Sequence, residues 1–160
     1  MSTSIWWIRR DMRLADNKAL QSAAIDGDVV PLFVVDPRFE RAGPARRAFM
    51  FDTLRSLDAA TGGKLVLRYG DPAVEVPQMA KEVDARNVHI ASDFAPYGQA
   101  RDQRVRDALK LVDATLVESD SPYCVNPGTV LKDDGTPLKV FTPFYRRWSL
   151  VDFSSAVETS

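Results

Sequence analysis

The sequence predicts an α/β fold: five parallel strands in a doubly wound, Rossmann-like sheet with helices on both faces. Three observations lead there. Five short apolar runs alternate with segments of helical periodicity. One of them, Val29–Val35, is continuous rather than alternating, as in strands covered on both faces. The intervening helices are long enough for right-handed βαβ crossovers, which build parallel sheets.

Ser4–Ile8 (SIWWI) reads as the first strand, with Trp6 and Trp7 packing on opposite faces. A polar loop, Arg9–Asp16, follows it. Asn17–Ile25 is a helix with Leu20, Ala23 and Ala24 inward and Asp16 as its N-cap. Val29–Val35 (VVPLFVV) is the second strand, and Pro31 belongs near its start or at a break in pairing. Pro44 opens the next helix where its missing N–H costs no hydrogen bond. Met50, Leu54 and Leu57 form its inner face, and Gly62-Gly63 stops it. Lys64–Tyr69 is the third strand.

Pro72–Ala85 is a helix with Val76, Met79, Ala80 and Val83 inward, its early turns weakened by Pro77. Asn87–Ser92 is the fourth strand. The helix Tyr97–Leu111 turns Val105, Leu109 and Val112 inward, and Ala114–Val117 is the fifth strand. Beyond Glu118 the pattern changes. Asp120–Asn126 is turn-rich, Val130–Val140 contains a DDG turn signal, and Thr142–Phe153 resembles a short helix. The closing SSAVETS is small and polar. It reads as linker, so the expected organisation is an α/β domain over 1–150 and the start of an interdomain linker over 151–160.

The 160 residues fit one domain, and 45% apolar with 27% charged residues is ordinary for a soluble protein. A chain of this size buries roughly 70% of its unfolded surface, so a core forms without staples. The lone Cys124 cannot close an internal disulfide and fits a reducing compartment. No run approaches the roughly 18 apolar residues of a membrane span. Arg9, Arg10 and Asp11 interrupt the opening too early for a signal peptide, and the expected location is cytoplasmic. With 21 basic and 22 acidic residues the net charge is −1, which lacks the excess of a dedicated nucleic-acid binder. A local basic patch remains open.

In open parallel sheets, ligands bind beyond the carboxyl ends of the strands. Arg9, Arg10 and Asp11 follow the first strand and Asp36-Pro37 the second. Gly70-Asp71, Ser92-Asp93-Phe94 and Glu118-Ser119 follow the others. Arg46 and Arg47 lie in the first turn of the second helix, where the backbone already favours anions. These residues fit a cleft for a polar small molecule. They fit equally a set of Arg/Asp pairs that only lock loops together. Familiar nucleotide motifs are absent: no G-x-G-x-x-G follows the first strand, and Gly62-Gly63-Lys64 lacks Walker spacing. His89 reads as a core or sheet-face residue, no cluster indicates zinc, and nothing marks an activated serine. Independent catalysis has no support.

Three segments add a resemblance. Trp7–Leu20 (WIRRDMRLADNKAL) is similar to the opening signature of photolyases and cryptochromes, R-x-D-L-R-L-x-D-N-x-A-L after an aromatic strand. Pro96–Asp102 (PYGQARD, after Asp93) resembles a second family segment. Lys139–Trp148 (KVFTPFYRRW) resembles the stretch that closes the family's α/β domain. Their order and spacing match across nearly the whole chain.

The resemblance implies an N-terminal domain that holds a light-harvesting antenna chromophore. It implies FAD only in a following all-helical domain, where light-driven repair of cyclobutane pyrimidine dimers in DNA occurs. The 160 residues are then not catalytic alone, and damaged DNA is met only through the full-length protein. The PYG segment and the early-helix arginines resemble members that bind a deazaflavin or FMN more than those that bind methenyltetrahydrofolate. By motif position, Arg10, Val34, Asp36, Arg46 and Asp93 line the pigment pocket. Ala95 departs from the pattern, standing where deazaflavin-binding relatives can carry a glutamate. Two alternatives stay open: a cryptochrome photoreceptor fragment and an unrelated nucleotide-binding α/β module.

Overall fold

The computed structural model describes residues 2–152 and 156–157. Five strands are present: β1 (Thr3–Ile8), β2 (Asp28–Val35), β3 (Val66–Tyr69), β4 (Ala85–Ile90) and β5 (Thr115–Glu118). All pair parallel in the order β3-β2-β1-β4-β5. Helices α1 (Lys18–Asp26) and α2 (Pro44–Ala60) precede β2 and β3, while α3 (Pro72–Glu82) and α4 (Pro96–Lys110) precede β4 and β5. A short helix, α5 (Phe141–Trp148), follows the sheet. Chain order therefore reverses at β1, as expected for a doubly wound sheet.

The reversal makes two cores. Trp6, Ile8 and Phe33 point to one face, beneath Ala19 and Ala23 of α1 and Met50, Leu54 and Leu57 of α2. Ile5, Trp7, Leu32 and Val34 point to the other, beneath Val76, Met79 and Ala80 of α3 and Val105 and Leu109 of α4. The two tryptophans divide between the faces because neighbouring strand residues alternate. Both are at most 1% exposed, so the centre of the sheet is sealed on both sides.

Local chemistry explains where elements stop. Gly62 and Gly63 take φ of +67° and +77°, and the Gly63 N–H reaches the Asp58 carbonyl, closing α2 as expected. Pro31 pairs with Trp6, and β3 joins the sheet only opposite Leu32. Helix α3 runs through Pro77, which is buried with Val76, Met79 and Ala80. Burial of that face sustains a turn that lacks one backbone donor.

Several expectations need correcting. The N-cap of α1 is Asn17, not Asp16: its side chain accepts from the Leu20 N–H at 3.0 Å. Asp16 is in the left-handed region at φ +50° and closes the preceding loop. Ala24 is exposed, and Ala19 takes the inward position with Ala23. Strand β4 begins two residues earlier than its apolar run, because Ala85 pairs with Thr3 across an irregularity in register. A 3-10 helix at Pro37–Arg41 was not anticipated. Around the DDG turn, Leu131 and Pro137 form one antiparallel bridge. Helix α5 ends at Trp148, short of the expected Phe153, which lies outside the described residues together with Ser154, Ser155 and Glu158–Ser160. No described helix is long and apolar enough to cross a membrane.

Candidate functional site

A cleft of about 660 Å³ opens beyond the carboxyl ends of β1, β2 and β4. Topology places it there: the chains leaving β1 and β2 pass to one face, and the chain leaving β4 passes to the other. The crevice between them is the expected ligand position in such sheets. Its apolar side is formed by Ile8, Phe33 and Val34 at the strand ends, with Phe39, Phe49 and Met50 beside them. Phe49 is 71% exposed, a large apolar ring facing an open cavity.

All five residues singled out from the sequence, Arg10, Val34, Asp36, Arg46 and Asp93, line this cleft. Val34 is buried at the end of β2. Arg10 is exposed and donates to the Tyr123 hydroxyl at 3.2 Å. Arg46 is exposed in the first turn of α2, a helix whose N-cap, Gly43, supplies no capping side chain. Ala95, likewise, is part of the lining.

The two carboxylates are already engaged. Asp36 accepts from the Arg38 backbone N–H at 2.9 Å and from the Tyr97 hydroxyl. That second bond ties the end of β2 to the start of α4. Loss of water around Tyr97, and then the neighbouring Asp36 carboxylate, hold the phenol above its ordinary range. Asp93 accepts from the Ala95 N–H at 3.0 Å and lies 3.4 Å from Arg101. Its carboxyl occupies the space above Gly98: a Cβ built there would sit 2.2 Å from the Asp93 Cγ. Glycine in the first turn of α4 is what lets Asp93 fold back onto the helix start.

Beneath these groups is an ion network that sequence reasoning did not assemble. The Arg9 side chain is 8% exposed; its Nη1 lies 2.7 Å from Asp102 Oδ2, and it donates to the Ala91 carbonyl. Arg101 meets the other Asp102 oxygen at 2.8 Å. Burial lowers the Arg9 pKa and Asp102 opposes the shift. A guanidinium stays charged under such opposition, so the pair fixes β1 to α4 as full charges. Arg9 and Arg101 also lie over the Trp7 ring at 4.9 and 5.3 Å, and Arg38 lies over Tyr97 at 4.8 Å.

Arg38, Arg41, Tyr97 and Arg101 are thus cleft residues missed from the sequence, while Arg9, expected at the end of the first strand, lines the cleft as well. Tyr97 and Arg101 lie in the PYGQARD segment already noted, one helical turn apart, a spacing that puts both on one face. Arg38 and Arg41 lie in the unanticipated 3-10 helix, where i, i+3 spacing aligns them.

His89 is buried on β4, away from the cleft. Its Nδ1 lies 3.0 Å from Ser22 Oγ and its Nε2 2.9 Å from Asp26 Oδ2. Asn87 donates to the same carboxylate at 2.7 Å. The trio has the elements of a nucleophilic triad, but none of its members lines the cleft. It clamps α1 onto β4, as expected of a core histidine. Among the described residues no group of acidic, His and Cys side chains could hold a metal ion. Cys124 is free and exposed.

Comparison with known proteins agrees with this architecture. A family described as DNA photolyase matches residues 4–158. The deoxyribodipyrimidine photo-lyase of Streptomyces griseus is 41% identical over 157 residues, covering 92% of this chain and 34% of that protein. The class III photolyase structure from Agrobacterium tumefaciens superposes with a TM-score of 0.84 at 28% identity, over 95% of this chain and 32% of that one. An archaeal photolyase from Sulfolobus tokodaii, solved with two FAD molecules, superposes with a TM-score of 0.76 at 24% identity, a likeness of fold. It covers 95% of this chain and 36% of that one. The chain spans about a third of the length of these relatives. With the sheet order, the sequence match and the superpositions in agreement, the chain belongs to the DNA photolyase family.

Proposed function

We propose that this chain is an antenna domain that holds a light-harvesting pigment in the cleft at the ends of β1, β2 and β4. The observation that carries this reading is one open cavity, partly apolar, that gathers Arg10, Val34, Asp36, Arg46 and Asp93 from four separate segments. A planar ring system needs a flat apolar surface and a few polar groups at its edges. Val34, Phe33 and Phe49 supply the first. Arg10, Arg46 and the carboxylates supply the second, as donors and acceptors for N–H and carbonyl edges.

The resemblance of the PYG segment and the early-helix arginines favours a deazaflavin or FMN over methenyltetrahydrofolate. The arginines around the mouth match a pigment with carbonyl edges or an anionic tail. In the Sulfolobus tokodaii photolyase, a protein of the same fold, two FAD molecules have been taken to implicate a novel light-harvesting cofactor. The pigment would pass its excitation to FAD in a helical domain contributed by the rest of a full-length protein. In that protein residues 1–150 are the antenna domain and 151–160 begin the linker. DNA photolyase activity, repair of pyrimidine dimers, belongs to the full-length protein, and damaged DNA meets the antenna domain only through it.

Fluorescence titration of the 160-residue chain with deazaflavin, FMN and methenyltetrahydrofolate tests the reading. Saturable quenching by deazaflavin or FMN, ahead of the folate, is expected. No binding by any of the three contradicts it.

A further inference from the structure

We infer that the pigment carries a phosphate on its tail, selected by Arg38, Arg41 and Arg46; this rests on the pigment-binding reading above. The argument is one of charge balance within the cleft. Deep in it, charges are matched: Arg9 and Arg101 meet Asp102, and Arg101 approaches Asp93. Around the mouth they are not. Arg38, Arg41 and Arg46 line the cavity, and none forms an ion pair among the described residues.

The carboxylates there are fewer than the cations. The acidic residues lining the cavity are Asp36 and Asp93. Asp36 is occupied by the Arg38 backbone and the Tyr97 hydroxyl, and Asp93 by Ala95 and Arg101. The arrangement does not reflect a basic chain, because the net charge is −1. Three cations close in sequence, facing one cavity where Asp36 is the one lining carboxylate without a guanidinium partner among the described residues, outnumber the acid and repel one another. A bound anion relieves that repulsion, and a neutral pigment leaves it in place. Phosphate suits them best. It offers up to two charges and three terminal oxygens to planar guanidinium forks. The ring would then rest on Val34 and Phe49, with its tail toward the 3-10 helix and the start of α2.

FMN and riboflavin provide the test, because they share a ring and differ by the phosphate. Affinities are measured by fluorescence titration at low salt, on the unsubstituted chain and on the double variant Arg38→Gln/Arg41→Gln. Circular dichroism confirms that the variant is folded. The deazaflavin riboside and its 5′-phosphate form a second pair with the same readout. FMN is expected to bind roughly tenfold or more tightly than riboflavin, the size of a charge-assisted contact. In the variant that preference should fall toward one while riboflavin affinity holds. Equal, measurable binding of both members of each pair overturns the phosphate inference and leaves the pigment cleft standing. Binding of neither ring system overturns both.

Discussion

The Arg9–Asp102 contact shows how one pair governs the shape of the cleft. Both side chains are buried, and each is the other's ion-pair partner. Asp102→Asn keeps the shape but leaves Arg9 with an uncompensated buried charge, and should cost about 3–5 kcal/mol. Urea unfolding measures it, and a loss no larger than that of an exposed substitution would place the pair outside the core.

His89 has the opposite logic. Burial lowers its pKa, with Asp26 working against the shift. The folded state therefore binds a proton less readily than the unfolded chain does. Its contribution is present above roughly pH 6.5, and is lost as the pH falls from there through the lower folded value. The urea midpoint should decline as the pH falls below about 6.5 in the unsubstituted chain, and His89→Gln should flatten that decline. Parallel curves for the two proteins would remove His89 as the cause.

Among the elements, α1 is the most instructive. Asn17 caps it and also donates to the carbonyls of Asp11 and Arg13, each at 3.0 Å. One buried side chain thus closes both the helix and the loop that delivers Arg9 and Arg10. Asn17→Ala should cost about 2 kcal/mol or more, the cap together with orphaned carbonyls. Asn17→Ser should recover only the capping part, as read by denaturant midpoints. Equal stability of the two variants would mean that the cap contributes nothing, and a Ser variant as stable as the unsubstituted chain would mean the same of the loop contacts.

The cap was misplaced by one residue in the sequence because Asp16 and Asn17 are both good capping residues; only backbone geometry separates them. The five strands were legible because their apolar runs are long relative to their neighbours. The 3-10 helix at Pro37–Arg41 was not, since no periodicity can establish itself in five residues. It depends instead on the Asp36 side chain folding onto the Arg38 N–H. Strand β4 slipped because its first residues are recruited by pairing with β1, a contact that apolar pattern does not encode.

For the whole molecule, the site's location followed from the alternation of strands and helices. Once the sheet is parallel and reverses at β1, the crevice beyond β1, β2 and β4 is fixed by topology. The five residues taken from motif positions all reached it. The ion network beneath did not announce itself, because Arg9 and Asp102 lie in different segments and are joined only when α4 crosses the sheet. Arg38 and Arg41 were hidden for the same reason as their helix. What the cleft holds is the claim on which the functional account stands. The most direct measurement is a crystal structure of this chain grown with whichever of FMN or deazaflavin binds more tightly. The account expects ring density against Val34, between Arg10 and the start of α2. Clear density at another surface, or a cleft closed by its own side chains in the presence of saturating pigment, would contradict it.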